Sequence, residues 1–193
     1  MLFLVRVRSQ PSSGLAKAFA LVLHERTFEA VQLIDMLITE DCNCRCDYCF
    51  IHGKRPRRMT EEIVRATVDF LLLKSRHLRK VELLFFGGEP LTAFDLMQLT
   101  VDYGNYRAAC MGKRISYSMT TNGTLFNEEK LEFCRRYGIR FLLSIDGDRE
   151  THNLHRKFAD GAGPSLQLPF RRQRIPRQAL EKKGRCVILW VRD

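Results

Sequence analysis

The chain has 193 residues, of which 45% are apolar, and it carries a net charge of +10. This size and composition predict a globular domain with its own core and exclude a disordered chain. No apolar run approaches the roughly 20 residues that span a bilayer, so we expect no membrane partner. The excess charge is concentrated in residues 164–193, and the rest of the chain is only mildly basic. We therefore expect no nucleic-acid partner.

The chain contains seven cysteines, an odd number, and four of them lie between residues 42 and 49. An odd and clustered set argues against a disulfide framework and for a reducing compartment, so we expect a cytoplasmic protein. Cys110 and Cys134 fall within predicted helices and are interpreted as core thiols rather than ligands.

The first 30 residues are only weakly informative and are treated as an N-terminal extension. Leu2–Val7 predicts a short accessory strand. Gln10–Gly14 is rich in the residues that form turns.

The most informative stretch begins where the predicted strand Leu33–Ile38 ends. Cys42, Cys46 and Cys49 follow it with the spacing C-x3-C-x2-C. Thiolates clustered this closely on a loop hold metal more often than they form disulfides. Three thiolates on a four-iron cluster leave one iron without a protein ligand, and such an open iron can bind and activate a small molecule.

A zinc site is the alternative interpretation of this loop, because Cys44 and His52 would complete a four-ligand set with the neighbouring cysteines. Ligand type and spacing favour iron–sulfur over zinc. Cys44 is then a spare buried thiol rather than a ligand. The basic residues that follow, between Lys54 and Arg58, form either a solvated loop or a patch that faces a substrate or an electron donor.

From Leu33 onward the pattern alternates between strand and helix four times, which predicts βα units and a parallel sheet of the α/β class. The helices begin at the caps Thr60 and Asn127 and near Thr92. The first of them places Val64, Val68, Leu71 and Leu72 on one face. The remaining predicted strands are Val81–Phe86, Ile115–Thr121 and Ile139–Ile145, and the helix before the last strand ends at Gly138.

All four polar or glycine-rich motifs fall at the C-terminal end of a predicted strand. They are the cysteine loop, Gly87–Pro90, Thr120–Gly123 and Ser144–Gly147. In βα barrels and open parallel sheets this edge is where ligands bind. Glycines at such a point let the backbone approach a ligand closely.

In this order and at these intervals the motifs resemble the radical S-adenosylmethionine (SAM) superfamily. Within it, the anaerobic sulfatase-maturing enzymes and their SPASM-domain relatives are most similar, over roughly Leu33 to Ser165. His152–Arg156 resembles the His-Asp-x-x-Arg segment of that branch, with Asn153 in place of the acid. The resemblance implies a partial (β/α) barrel of about four to five βα units, with its core in residues 31–163.

The resemblance also implies cofactors. Cys42, Cys46 and Cys49 would hold a four-iron, four-sulfur (4Fe-4S) cluster whose open iron takes the amino and carboxylate groups of SAM. The SAM-binding residues would be Gly87, Gly88 and Glu89 at the amino group, Tyr48 against the adenine, Ser144 and Arg156 at the ribose and carboxylate ends, and Asn122.

The implied activity is that of a radical SAM oxidoreductase. One electron enters the sulfonium, a C–S bond breaks, and a 5′-deoxyadenosyl radical abstracts hydrogen from a peptide or protein side chain, as in sulfatase maturation. A flavodoxin- or ferredoxin-type protein would supply the electron. A zinc-stabilised basic nucleic-acid-binding module and an inactive truncated remnant are the two alternatives.

Residues 164–193 form an atypical basic tail that a frameshifted or fragmentary reading frame would explain as well as a folded segment. Gln178–Lys183 and Val187–Val191 are compatible with a poor helix and a strand. Only Cys186 follows Cys134, so no auxiliary cluster can be built from the tail. We expect the tail to pack poorly and to leave the last parallel strand as an open sheet edge.

Overall fold

The computed structural model describes residues 5–9, 30–51, 56–161, 163 and 186–191. The strands in these ranges are β1 (Val5–Ser9), β2 (Val31–Thr39), β3 (Lys80–Gly87), β4 (Arg114–Thr121), β5 (Arg140–Asp146) and β6 (Cys186–Val191). The helices are α1 (Glu61–Lys74), α2 (Phe94–Cys110), α3 (Glu128–Tyr137) and α4 (Arg149–His155), and a 3-10 turn at Pro90–Ala93 leads into α2.

The described strands form one six-stranded sheet in which spatial order follows chain order. β2, β3, β4 and β5 are parallel to one another. β1 pairs antiparallel with β2 at one edge. The prediction of a parallel α/β sheet with four βα units is confirmed. All four polar motifs therefore meet at one edge of the sheet.

The helix ends follow from local chemistry. The Thr60 hydroxyl accepts a hydrogen bond from the Ile63 amide at 3.3 Å and caps α1. The Asn127 side chain accepts one from the Lys130 amide at 3.0 Å and caps α3. Gly138 ends α3 with a φ of 61°, a left-handed conformation that favours glycine. These three boundaries agree with the sequence prediction.

The second helix is longer than predicted. It was expected from about Thr92 to Tyr103, but α2 begins at Phe94 and continues through Gly104 to Cys110. A Cβ atom on Gly104 would lie only 2.5 Å from the Tyr117 hydroxyl oxygen of β4. The glycine lets helix and sheet approach each other closely and does not end the helix.

The core lies between the sheet and the helices. Phe85 of β3 is fully buried at its centre, with Ile34, Met36 and Leu83. The face of α1 predicted to be apolar, Val64, Val68, Leu71 and Leu72, is fully buried as well. Each such side chain contributes about 1.5–3 kcal/mol through burial. This packing fixes the strands whose C-terminal ends carry the motifs.

The last parallel strand is not an open edge, so that prediction is wrong. β6 pairs antiparallel with β5 in a register that runs from Asp146 opposite Cys186 to Phe141 opposite Val191. A run of β-branched and large apolar residues from 187 to 191 favours a strand. The prediction of a strand at Val187–Val191 is confirmed. The predicted helix at Gln178–Lys183 and the expected poor packing of residues 164–185 lie outside the described residues.

At the other end of the sheet, the predicted accessory strand is confirmed as β1, although its described bounds begin at Val5. The predicted turn at Gln10–Gly14 lies outside the described residues. None of the described helices is both long enough and apolar enough to cross a bilayer.

Candidate functional site

A cavity of about 260 Å³ opens at the C-terminal edge of the parallel strands, beside the cysteine loop. Of the residues predicted for the site, every one except Glu89 lines it. The lining residues are Cys42, Cys44, Cys46, Tyr48, Cys49, Phe50, Phe86, Gly87, Gly88, Thr120, Thr121, Asn122, Leu142, Ser144 and Arg156.

A second cleft, of about 820 Å³, lies beside α4 and is more open to solvent. It holds none of the predicted site residues. Asn153, the residue that departs from the sulfatase-maturing pattern, lies on this cleft and not on the cavity. Size alone therefore does not identify the functional site.

The three cysteines with C-x3-C-x2-C spacing face the cavity, with Cys42 buried and Cys46 and Cys49 half-buried. The described residues include no group of three or more His, Cys, Asp or Glu side chains that could hold a single metal ion. A zinc ion needs its ligands to converge at about 2.3 Å. Thiolates of an iron–sulfur cluster bind different irons, and three cysteines on one loop are a donor set of that kind. His52, proposed for the zinc alternative, lies outside the described residues.

The cysteine loop is held on one side by the segment that follows α4. Backbone hydrogen bonds join the two stretches as a short antiparallel ribbon, which includes a bridge between Cys44 and Phe158. The bonds run from Asp47 to His155 at 3.3 Å, from Arg45 to Lys157 at 2.8 Å and from Ala159 to Asn43 at 2.8 Å. The loop conformation thus depends on residues more than 100 positions away.

Gly87 and Gly88 hold the other side of the loop. The Gly88 amide donates to the Thr39 carbonyl at 2.9 Å, which extends the pairing of β2 and β3. A Cβ atom on Gly88 would lie 2.0 Å from the Asp41 carbonyl oxygen, and one on Gly87 would lie 2.2 Å from that of Thr39. We expected these glycines to admit a ligand. The structure shows that the backbone at the end of β2 and at the start of the cysteine loop already requires them.

Glu89 is fully buried, with 0% of its surface exposed. Its Oε1 accepts hydrogen bonds from the Leu91 amide at 3.1 Å and the Thr121 hydroxyl at 2.7 Å. Its Oε2 accepts one from the Asn122 amide at 2.7 Å. Burial raises the pKa of this carboxyl to about 7, against the opposing effect of these hydrogen bonds. The resemblance placed Glu89 on the amino group of SAM, whereas here its carboxylate engages the end of β4.

Asn122 links the end of β4 to the cysteine loop. Its Nδ2 donates to Asn43 Oδ1 at 2.9 Å and to Cys44 Sγ at 3.5 Å, and lies 3.9 Å from Cys42 Sγ. Its Oδ1 accepts from the amide and hydroxyl of Thr124 at 2.9 and 2.7 Å. The sequence identified Asn122 as a site residue through its motif, but not these contacts.

Cys44 is buried, with 1% of its surface exposed, as predicted. Its amide donates to Cys42 Sγ at 3.3 Å. A hydrogen bond with the Cys42 thiol, followed by burial, raises the pKa of the Cys44 thiol. The side chain therefore packs within the loop.

Arg156 forms an ion pair with Asp146 at the end of β5. Its Nε and Nη2 donate to the two carboxylate oxygens at 2.8 and 3.0 Å, while Nη1 lies 4.0 Å from Cys46 Sγ. The Tyr48 hydroxyl also donates to Asp146, and the guanidinium lies 5.4 Å from the centre of the Tyr48 ring. Burial raises the pKa of Asp146, but the hydrogen bonds from Arg156 and Tyr48 outweigh it and leave that pKa below its usual value.

Asp146 and His152 are residues that the sequence reasoning missed. The Asp146 amide donates to His152 Nδ1 at 3.3 Å, and the imidazole is buried. Burial, with a further contribution from Arg156, lowers the pKa of His152 to about 4. The motif Ser144–Gly147 contained the available signal, because it places a carboxylate at a strand end that is otherwise apolar.

Two aromatic side chains form part of the cavity wall. The rings of Phe50 and Phe86 stack with their centres 5.5 Å apart. Phe50 is nevertheless 60% exposed. Ser144, which lies on β5, is half-buried. The cavity therefore combines thiols, backbone peptide groups, a guanidinium and an apolar wall.

Comparisons with known proteins agree with this geometry. The family model of the radical SAM superfamily matches residues 36–166. The cysteine-type anaerobic sulfatase-maturating enzyme of Clostridium perfringens is 30% identical over 159 residues, which cover 76% of this chain and 41% of that protein. The radical SAM cyclopropyl synthase TigE of Paramaledivibacter caminithermalis is 26% identical over 141 residues, covering 65% of this chain and 29% of that protein.

Solved structures give the same result. The chain resembles native anSMEcpe with bound AdoMet, with a TM-score of 0.60 and 28% identity over 69% of this chain and 36% of that one. It also resembles native anSMEcpe with bound AdoMet and Cp18Cys peptide, with a TM-score of 0.59 and 28% identity over 68% of this chain and 35% of that one. The chain thus spans well under half the length of these relatives.

Proposed function

Because the chain belongs to the radical SAM superfamily, we propose that it holds a 4Fe-4S cluster and cleaves SAM reductively. The observation that carries the proposal is the composition of a single cavity. Cys42, Cys46 and Cys49 line it together with Gly88 and Arg156. These residues come from three separate motifs at the C-terminal edge of the sheet, where parallel α/β sheets bind ligands.

The chain's own residues suit the parts of SAM. Peptide groups at Gly87 and Gly88 border the cavity and would face the amino group. Asp146 takes two of the five N–H donors of Arg156, and Nη1 is on the side of Cys46. That side of the guanidinium would bind the carboxylate. Ser144 would meet the ribose.

The bound cofactors would supply one-electron cleavage of the sulfonium and a 5′-deoxyadenosyl radical that abstracts hydrogen from the substrate. The protein's part is orientation and exclusion of water. The stacked pair Phe50 and Phe86 provides an apolar wall for the latter. Tyr48, fixed by its hydrogen bond to Asp146, would lie against the adenine.

For the substrate we propose a side chain of a peptide or protein, modified as in sulfatase maturation. Support comes from the sulfatase-maturating relatives and from the solved structure that contains a Cp18Cys peptide. A flavodoxin- or ferredoxin-type donor would reduce the cluster in a reducing, cytoplasmic setting. The odd and clustered cysteines support that setting.

Anaerobic reconstitution with iron and sulfide tests the proposal. We expect a brown protein whose electron paramagnetic resonance spectrum changes when SAM is added, and which forms 5′-deoxyadenosine with dithionite. A variant with Cys42, Cys46 and Cys49 all replaced by alanine is the matched control. A colourless protein that retains zinc would overturn the cluster assignment. A SAM-responsive cluster without 5′-deoxyadenosine would indicate an inactive remnant.

A further inference from the structure

Glu89 is a fully buried carboxylate whose oxygens accept hydrogen bonds from other groups of the chain. Three donors, on Leu91, Thr121 and Asn122, converge on its two oxygens at 2.7–3.1 Å. Burying a carboxylate is costly unless such donors compensate for the lost water. The residue does not line the cavity. Its side chain is therefore built into the scaffold.

The hydrogen bonds of Glu89 continue toward the cysteines through Asn122. Glu89 Oε2 accepts a hydrogen bond from the backbone amide of Asn122. The side-chain Nδ2 of Asn122 then donates to Asn43 Oδ1 at 2.9 Å. That Nδ2 also lies 3.5 Å from Cys44 Sγ and 3.9 Å from Cys42 Sγ. One carboxylate thus connects to the middle of the cysteine loop through a single intermediate residue.

The backbone of Glu89 forms a hydrogen bond to the start of the same loop. The Glu89 amide donates to the Asp41 carbonyl at 2.8 Å, directly before Cys42. The Asp41 side chain in turn accepts a hydrogen bond from the Cys42 amide at 2.8 Å. The main chain and the side chain of one residue therefore hold two points of the loop.

We propose that Glu89 is a positioning residue that, through Asn122, presets the cysteine loop before any cofactor binds, and that its carboxylate does not contact SAM. This inference deepens the proposed function and rests on it for the identity of the cluster. The preset loop itself is a property of the polypeptide alone. It can be measured on the apo chain.

Asn122 then has a second consequence. Its Nδ2 lies 3.9 Å from the sulfur of Cys42, a proposed cluster ligand, and a donor group this close to a ligand sulfur stabilises negative charge there and helps to set the potential of an iron–sulfur cluster. Removing the Asn122 carboxamide is expected to make the reduction potential more negative. A purely structural role in the fold would leave that potential unchanged.

The test compares Glu89→Gln and Asn122→Ala with Ser144→Ala, a cavity-lining residue whose side chain makes no hydrogen bond to the loop within the described part of the chain. In the full apo chain we would measure alkylation of Cys42 by iodoacetamide. We expect it to be about five- to tenfold faster in the first two variants, as for the loss of about one hydrogen bond. Ser144→Ala should react like the wild type. Circular dichroism would check that each variant folds.

Reconstituted protein supplies the second readout. Asn122→Ala is expected to lower the reduction potential of the cluster, and Glu89→Gln to retain the SAM affinity of whatever cluster it assembles. Unchanged Cys42 alkylation in both variants overturns the proposal, and so does a tenfold loss of SAM affinity in Glu89→Gln with an unaltered loop. If Glu89→Gln does not fold, Asn122→Ala decides alone. Failure to bind any cluster in the wild type refutes the proposed function but leaves the alkylation result standing.

Discussion

Arg156 and Asp146 form a bidentate ion pair at the point where β5 ends, with only 8% and 6% of their surfaces exposed. They lie ten positions apart in the chain, with helix α4 between them. The pair connects the sheet edge, the cysteine loop and the Tyr48 ring in one place. A buried pair of this kind is costly to break, because the remaining charge has no water to solvate it.

We predict that Arg156→Lys destabilises the fold by about 1.5–3 kcal/mol, the value of a lost hydrogen bond to a charged group. A lysine keeps the charge but lacks the planar fork that meets both carboxylate oxygens. Urea unfolding at pH 7 measures the change. Arg149→Lys, an exposed position on the same helix, is the control and should stay within about 0.5 kcal/mol of the wild type. Equal stabilities for the two variants would show that the pair does not form in solution.

His152 gives the protein a pH dependence. Its pKa of about 4 in the folded chain lies below the ordinary value of 6.5, because burial disfavours the charged imidazolium. The unfolded state therefore binds more protons than the folded state between these values, so stability falls as the pH is lowered through that window. We expect the free energy of unfolding to drop by about 2 kcal/mol from this group between pH 7 and pH 5.

The comparison that isolates this contribution is His152→Gln, in which the loss between pH 7 and pH 5 should shrink by that amount. His77→Gln, at an exposed histidine, is the control for replacing an imidazole. Urea titrations at the two pH values supply the measurement. A wild-type profile in His152→Gln would mean that the imidazole titrates alike in both states.

The features that could be predicted from the sequence are those with a local cause. Thr60 and Asn127 cap helices through contacts three residues away, and the apolar face of α1 follows from helical periodicity. The meeting of four motifs at one edge follows from parallel pairing alone, since every parallel strand ends on the same side. These rules needed no knowledge of distant contacts.

The features that could not be predicted depend on partners far away in the chain. Gly104 lies inside a helix because Tyr117 of the next strand comes close to it, and no local pattern reports that distance. Gly88 must be small because of Asp41, 47 positions earlier. Two of the three donors to Glu89, on Thr121 and Asn122, lie more than 30 positions away, and its motif does not indicate them. A motif identifies such residues but does not indicate which neighbours they contact.

Gly88→Ala tests the reassigned role of the glycine. Its Cβ atom would overlap the Asp41 carbonyl, so we expect the loop to shift and both iron and SAM binding to fall. If the glycine served only to admit SAM, SAM binding would be lost while the cluster stayed intact. Iron content and calorimetric SAM affinity distinguish the two. Gly112→Ala, where a Cβ atom meets nothing within 4 Å, shows the effect of a glycine replacement that makes no contact with the loop.

Single alanine substitutions of the four loop cysteines test which of them bind iron. We expect Cys42→Ala, Cys46→Ala and Cys49→Ala each to lose most of the iron after anaerobic reconstitution. Cys44→Ala should keep it, because that thiol lies outside the C-x3-C-x2-C spacing and accepts a hydrogen bond from Asn122 Nδ2 at 3.5 Å. Iron loss in Cys44→Ala equal to that in Cys46→Ala would refute the ligand assignment, provided that circular dichroism shows both variants folded.

Gly104→Ala should raise the helix propensity of α2 but crowd its packing against β4, and the two effects on stability are opposite. In an exposed helix this change stabilises by about 1 kcal/mol. Here the new Cβ atom would lie 2.5 Å from the Tyr117 hydroxyl oxygen and 3.2 Å from Ile115 Cδ1. Tyr117 is buried and stacks on Phe85 with ring centres 6.1 Å apart, so its ring cannot easily move away. Overpacking costs about 1–3 kcal/mol, so we expect Gly104→Ala to destabilise the protein.

A double-mutant cycle decides whether the Tyr117 hydroxyl is the cause. Tyr117→Phe removes that oxygen and its long hydrogen bonds to Val101 and Asn105, at 3.4 and 3.3 Å, while it keeps the stacked ring. In this background Gly104→Ala should cost at least about 1 kcal/mol less than in the wild type, which is the size of coupling found between residues in contact. Additive effects in urea unfolding would mean that the helix accommodates the methyl group by moving as a whole. The glycine would then be a tolerated residue rather than a required one.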